Sequence, residues 1–263
     1  MARARERVPV AALLLAAAGA LLIVLPLVGL LARAPWRNLW PELTSPDVLA
    51  ALRLSLVCSL SATALAVVLG LPLAWVQARA VFPGLALLRG LTLLPIVLPP
   101  VVGGVALLAA FGRRGLAGQW LESAFGVRLP FSVAGATLAE TFVAMPFFIV
   151  TVEGALRSVN RRLEDAARTL GAGAWRVFWS VTLPLVRPSL LAGAVLCWAR
   201  ALGEFGATIT FAGNFPGRTQ TLPLAVYVLL ESRPDAGIAV SLVLVAVSLA
   251  VLVVMRERWV RAL

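Results

Sequence analysis

The sequence predicts an all-α membrane protein that crosses the bilayer six times. Of its 263 residues, 61% are hydrophobic and only 13% are charged, a balance that soluble globular domains do not need. The apolar residues form runs of about 20 residues or more, the length of a membrane-spanning helix, and arginines stand in the short gaps between the runs. Together these features predict one polytopic membrane domain with no separate soluble domain.

The composition also excludes several classes of function. The net charge of +11 comes entirely from arginine, because the chain has no lysine and no histidine. Without histidine, Ser-His-Asp catalysis and His-ligated metal sites are excluded, and without lysine a Walker A nucleotide site is excluded. We therefore expect no catalytic residue, no metal site and no cofactor in this chain, so that another subunit would supply any ATP and Mg²⁺ chemistry. Arginines between apolar runs predict contact with lipid headgroups, not with nucleic acid.

The first span is predicted over residues 8–32, after Arg3, Arg5 and Arg7. A cleaved secretory signal is the alternative, since 32–34 reads Ala-Arg-Ala, but signal peptides have apolar cores of about 7–15 residues. We favour an uncleaved helix, with residues 1–47 forming this helix and an outer loop.

The membrane domain proper is predicted over 48–255, with spans at about 48–76, 89–111, 131–152, 188–212 and 236–255. In the third of the six spans, Pro95, Pro99 and Pro100 remove backbone donors and predict a broken helix. Irregular backbone at that depth must be buried in protein or line a cavity. A packing kink and a wall of a translocation path both remain open.

The fifth span, which Pro188 is expected to open at its first helical position, carries the most unusual charges. Arg200 and Glu204 are four residues apart and are expected to pair on one helical face. Gly203 and Gly206 flank Glu204 and would permit close helix approach or a hinge. A structural ion pair and a gate for an anion are the two interpretations.

Two other parts of the chain are less regular. Glu140 in the fourth span is interpreted as a packing or helix-end residue. Residues 112–130 are expected to form a polar loop with a short interfacial helix, and 213–235 a loop with a short, partly buried helical portion.

Arginine counts predict the orientation of the chain. With the N-terminus inside, 14 arginines lie in inner segments and 7 in outer loops, a bias that fits the positive-inside rule. The termini, including a tail at 256–263, and the segment 157–188 are then cytoplasmic.

Segment 157–188 is a polar interruption between apolar runs. Asn160 is expected to cap a helix, and Leu163, Ala166, Ala167 and Leu170 form an apolar stripe at i, i+3, i+4 and i+7. Gly171 and Gly173 are expected to end this helix. Such a helix lies on a surface or in the groove of a partner.

The spacing within this segment resembles a known signature. Asp165-Ala166-Ala167, three residues, Gly171, nine residues and then Val181-Thr182-Leu183-Pro184 resembles the EAA motif of binding-protein-dependent ABC importer permeases. Asp replaces the usual Glu, and Glu164 is a candidate to share the acidic role. The stretches LPPVV at 98–102, FGRRGLAG at 111–118 and residues 199–227 resemble the molybdate permease branch of that family.

The resemblance implies a type I importer fold and a set of partners. These are a second copy of the chain, two cytoplasmic ABC ATPase subunits and an extracytoplasmic oxyanion-binding protein, in a prokaryotic cytoplasmic membrane. The residues implied in ATPase coupling are Glu164, Asp165, Ala166, Ala167, Leu170, Gly171, Leu183 and Pro184. Candidates for the gate are Arg200, Gly203, Glu204, Gly206, Pro99 and Pro100.

The implied substrate is molybdate, with tungstate as a possible co-substrate. A sulfate or thiosulfate permease is the alternative within the class, because these substrates are also tetrahedral dianions. From another class, Glu140 or Glu204 would drive a proton-coupled secondary transporter. A membrane-embedded enzyme is a weaker third reading, because few polar groups converge.

Overall fold

The computed structural model describes residues 9–260, with side chains up to residue 253. The arginines at 3, 5, 7 and 261 lie outside the described residues, and nothing is described of the side chains of the arginines at 256 and 258. Within the described residues the chain is helical without strands. The helices are α1 Val10–Ala32, α2 Leu39–Leu43, α3 Pro46–Arg79, α4 Leu85–Val97, α5 Pro100–Phe111, α6 Gly118–Phe125, α7 Val133–Ser158, α8 Arg161–Thr169, α9 Ala174–Val177, α10 Leu183–Leu202, α11 Gly206–Ala212, α12 Leu222–Ser232 and α13 Pro234–Val260. A π-helical turn at Phe178–Thr182 joins α9 to α10.

Five helical runs in the described part of the chain are long and apolar enough to cross a bilayer. They are α1, α3, α7, the continuous run Ala174–Leu202, and α13. The third predicted span is instead divided into α4 and α5, each too short to cross alone. The count of six spans therefore depends on α4 and α5 crossing as a pair, and stays a prediction.

The break predicted at the prolines of the third span is confirmed. Leu98 and Pro99 have extended backbone between α4 and α5, and Pro100 occupies the first turn of α5. Proline is well suited to that position, since its missing N–H would have no partner in a first turn. Pro95 lies within α4.

The expected start of the fifth span at Pro188 is wrong. Pro188 lies inside α10, and Pro184 occupies the first turn of that helix. The helical run begins further back, at Ala174, so the second half of segment 157–188 already belongs to a helix of membrane-spanning length. A proline inside such a helix is tolerated because neighbouring groups in the protein can compensate the freed carbonyl.

The central packing joins α3, α7 and α10 through small side chains. Ala62 and Ala66 on α3, Ala144 and Phe148 on α7, and Ala201 on α10 are fully buried in one cluster. Lipid tails are as apolar as the helices, so association in a bilayer depends on close packing, which small residues permit. By contrast, every described residue of α1 is exposed or half-buried, so this helix lies at the periphery.

Helices α5 and α11 approach each other closely. A Cβ added at Gly104 would lie 2.5 Å from Cβ of Thr210, and one added at Gly206 would lie 2.7 Å from Cβ of Pro100. Two glycines on different helices therefore allow the two short helices to pack nearly backbone to backbone.

We predict that Gly104→Ala destabilises the protein by about 1–3 kcal/mol, the usual effect of overpacking. Gly90→Ala is the matched control, because Gly90 is also helical but has nothing within 4 Å of an added Cβ; it should be neutral or slightly stabilising. Thermal unfolding in lipid nanodiscs measures both variants. Equal unfolding temperatures for the two would show that α5 and α11 are not in close contact at Gly104.

Candidate functional site

The first candidate region is helix α8, where the segment predicted for coupling begins. Asn160 caps it as predicted, its side chain accepting a hydrogen bond from the backbone N–H of Arg162. At the other end the N–H of Gly171 bonds to the carbonyl of Arg168, and the N–H of Ala172 to that of Ala167. Together with a φ of +86° at Gly171, these bonds form a Schellman motif.

Gly171 thus ends the helix as predicted, whereas Gly173 does not. Gly173 has extended backbone and precedes α9. Gly173 is therefore a start signal for the next helix, and the prediction that it ends α8 is wrong.

The apolar stripe of α8 points away from the rest of the chain. Leu163 is 49% exposed and Leu170 is 88% exposed, and Ala166 is exposed beside them, while Ala167 is half-buried. A helix that packs on its own domain turns its apolar face inward. Helix α8 does the reverse, and leaves an apolar surface of the kind that a partner groove receives.

The inward contact of α8 is made by a carboxylate. Glu164 is 5% exposed, and its Oε1 accepts hydrogen bonds from Arg79 at 2.6 Å and from the hydroxyl of Thr182 at 2.9 Å. Arg79 is the last residue of α3, and Thr182 closes the π-helical turn before α10. A single side chain therefore joins α8 to two long helices.

This placement distinguishes the two neighbouring acidic residues. Glu164 is held inside by its ion pair, whereas the side chain of Asp165 is 63% exposed and pairs with Arg168 at 3.3 Å. Leu183 and Pro184, predicted in the same site, lie in the first turn of α10, directly after Thr182.

Sequence reasoning missed Arg79 and Thr182 as the partners of Glu164. In the sequence, Arg79 counts only as one of the inner arginines that predict orientation. Thr182 counts only as part of the motif that ends at Pro184. The only signal for Arg79 was its place at the end of a predicted span. Its contact with Glu164 joins residues 85 positions apart, and such a contact leaves no local pattern.

The second candidate region is the break between α10 and α11. Oε2 of Glu204 pairs with Arg200 at 2.7 Å, and Oε1 accepts a hydrogen bond from the N–H of Ala207 at 2.8 Å. The predicted pair is confirmed, although Glu204 lies beyond the end of α10 at Leu202 and not on a continuous helical face. Glu204 is 1% exposed and caps the first turn of α11, where a negative charge is favourable.

The structure brings this break against the proline break. Gly206 lies against Pro100, so the interruptions of two spans meet at one place in the bundle. Pro99 is in the same interruption. Gly203 is not part of this contact: an added Cβ there would meet only the carbonyl of Ala199, at an ordinary 3.6 Å.

Glu140 lies within α7, away from either end of that helix, and is 1% exposed. Its Oε2 has no hydrogen-bond partner among the described residues. It is therefore part of the packed interior of the bundle.

Known sequences resemble this chain over most of its length. Residues 66–263 match the family described as "Binding-protein-dependent transport system inner membrane component". The molybdenum transport system permease protein ModB of Mycobacterium tuberculosis is 48% identical over 233 residues, which cover 89% of this chain and 88% of that protein. Its Escherichia coli namesake is 44% identical over 209 residues, 78% and 91% of the two chains. The sulfate transport system permease protein CysT of Escherichia coli is 37% identical over 236 residues, 88% and 85%.

Solved structures share the fold. A chain of a bacterial ABC transporter that imports the acidic polysaccharide alginate matches with a TM-score of 0.74 at 18% identity, covering 94% of this chain and 93% of that one. A chain of the MetNI methionine ABC transporter, in an inward-facing conformation, matches with a TM-score of 0.54 at 17% identity, covering 82% and 99%. At these identities the likeness shows the fold alone.

We predict that Glu204→Gln destabilises the protein by about 3–5 kcal/mol, because it leaves the Arg200 charge without its partner. Removing both charges, in Arg200→Gln/Glu204→Gln, should recover part of that loss. Thermal unfolding in nanodiscs, arranged as a double-mutant cycle, measures the coupling. Additive effects of the single changes would mean that the pair does not brace this break.

Proposed function

Because the chain belongs to the family of binding-protein-dependent transport system inner membrane components, we propose that it is the membrane-spanning subunit of an ATP-driven importer of molybdate. It is an integral inner-membrane permease of the ABC type, with the all-α fold of importer permeases. The family predicted from the spacing at 165–184 is confirmed.

The exposed apolar stripe of α8 carries the proposal of an ATPase partner. Its two leucines are uncovered although Glu164 anchors the opposite side of the helix. We infer that a cleft on a cytoplasmic ABC ATPase covers this stripe, with the segment 157–188 and both termini on the cytoplasmic side. The chain itself has no lysine for a nucleotide site, so ATP and Mg²⁺ belong to the partner.

The complete importer would contain two copies of this chain, two ATPase subunits and an extracytoplasmic binding protein that delivers the oxyanion. A bilayer-embedded permease does not need its own tight site in such an assembly.

The contacts suggest how movement passes from the ATPase to the pathway. A displacement of α8 acts on α3 and α10 through Glu164, since Arg79 and Thr182 hold the same carboxylate oxygen. At its far end α10 reaches the Arg200–Glu204 pair. We propose that the meeting point of the two helix breaks, at Gly206 and Pro100, is the gate that this displacement opens and closes.

Molybdate is preferred over sulfate because of the order of similarity. The molybdenum permeases are 43–48% identical to this chain, whereas the sulfate permeases CysW of Synechocystis and CysT of Escherichia coli are 42% and 37% identical. Tungstate has the same charge and shape and stays a possible co-substrate.

We predict that Gly171→Ala lowers the ATPase stimulation caused by loaded binding protein several-fold. An added Cβ at Gly171 meets nothing within 4 Å, so the only cost is the left-handed backbone, about 1–2 kcal/mol for an L-residue. That strain would change the end of α8. Measurement uses the permease–ATPase complex in proteoliposomes, after checking that the ATPase co-purifies.

Gly173→Ala is the matched control, because that site is equally open but has extended backbone that alanine adopts without strain. It should couple normally. If the Gly171 variant assembles and couples as well as this control, α8 is not the coupling helix.

We predict that deleting this chain in its host abolishes growth on trace molybdate and that excess molybdate restores growth. Growth on limiting sulfate should be unchanged. A sulfate permease gives the opposite pattern. Molybdate uptake by the purified chain without an ATPase would instead support the proton-coupled alternative.

A further inference from the structure

A cavity of about 280 Å³ lies behind α8, between that helix, the end of α3 and the start of α9. Water occupies about 30 Å³ per molecule in the liquid, so the cavity has room for a group of several heavy atoms. Its lining includes Trp75, Arg79 and Phe178 together with the charged side of α8.

The charged side of α8 is opposite its apolar stripe. Arg161, Glu164, Asp165 and Arg168 follow the spacing i, i+3, i+4 and i+7 and all line the cavity. This places them on one face, about half a turn from the stripe that contains Leu163. An ATPase that covers the stripe therefore leaves the cavity accessible from another side.

The charges in the cavity do not balance. Three arginines line it against two carboxylates, a difference of one positive charge. Arg79 pairs with Glu164, and Arg168 pairs with Asp165. Arg161 has no carboxylate within ion-pair distance among the residues described.

A donor in the cavity also lacks an acceptor. The Nε of Arg79 is buried and forms no hydrogen bond with any described residue. Buried charged donors without acceptors are unfavourable. The Arg79 side chain as a whole is 17% exposed, so an anion in the cavity can approach its guanidinium and also offset the charge of Arg161.

The residues around the cavity indicate the source of the anion. Arg79 is the last residue of a membrane-spanning helix. Trp75, Trp175 and Phe178 form an aromatic cluster there, with ring centroids 4.6–6.5 Å apart. Tryptophan and arginine at a helix end are typical of the headgroup level, and basic pockets between helices on the cytoplasmic side bind anionic headgroups.

We propose that this cavity binds the phosphate of an anionic phospholipid, which Arg161 and the guanidinium of Arg79 hold from two sides. The bound lipid would fill the space between α8 and the bundle and keep α8 at a fixed distance from α3. The proposal uses the proposed function only to assign the lipid to the cytoplasmic leaflet.

The test compares two neighbouring arginines. Arg161→Gln and Arg162→Gln remove the same charge from the same exposed helix start, but Arg162 does not line the cavity. The full-length chain is extracted, with and without its ATPase, from membranes of phosphatidylcholine and phosphatidylglycerol. Native mass spectrometry then counts the phosphatidylglycerol that each chain retains.

Arg161→Gln should lower retention about fivefold, the factor expected for one arginine contact near a membrane surface. Arg162→Gln should retain as much as the original chain, and Asp165→Asn should retain more, because it frees Arg168. Millimolar inorganic phosphate should not displace the lipid.

Three results would overturn the proposal. Equal losses in the two arginine variants would show diffuse surface attraction, and displacement by inorganic phosphate would identify a soluble anion as the ligand. Loss of ATPase co-purification in Arg161→Gln, with lipid retention unchanged, would assign Arg161 to the ATPase contact. Retention is measured without the ATPase as well, so its outcome is independent of the coupling test at Gly171.

Discussion

A helix that breaks inside a bilayer must satisfy its backbone groups within the protein, because no water is available there. This constraint explains the centre of the bundle. Glu204 uses one oxygen to cap the first turn of α11 and the other to neutralise Arg200, so the break and the buried charge stabilise each other. Pro100 meets the same requirement differently, since it has no N–H to satisfy at the start of α5.

The two breaks lie together because of glycine. Gly206 accommodates Pro100, and Gly104 accommodates Thr210, where any side chain would collide. The short helices α5 and α11 meet at these glycines, whereas the long helices α3, α7 and α10 are held by a broad alanine-rich interface. A permease that alternates between open and closed states needs such a contrast between a rigid frame and a discontinuous region.

Helix α8 also depends on a buried carboxylate whose oxygen has partners within the protein. Its Glu164 is turned toward the domain and its apolar stripe toward solvent, contrary to the usual arrangement of a surface helix. The burial of Glu164 is possible because Arg79 and Thr182 both satisfy it. Once that contact is made, the orientation of the stripe follows from helical geometry.

The sequence by itself determined the class of the protein, most of its spans, the cap at Asn160, the end of α8 at Gly171 and the break at the prolines. These are local or periodic properties, which short stretches encode through backbone chemistry and apolar runs. It also identified Arg200 and Glu204 as a pair, because they are four residues apart. The predicted helix start at Pro188 and helix end at Gly173 were wrong. A neighbouring turn decides whether a proline or glycine begins, continues or ends a helix.

Only the tertiary structure decided which way α8 faces, which residues hold Glu164, and that the breaks of two different spans meet. Each of these depends on contacts between residues far apart in the chain, such as Arg79 with Glu164 or Pro100 with Gly206. Such contacts result from the packing of whole helices, and no local pattern of residues encodes them.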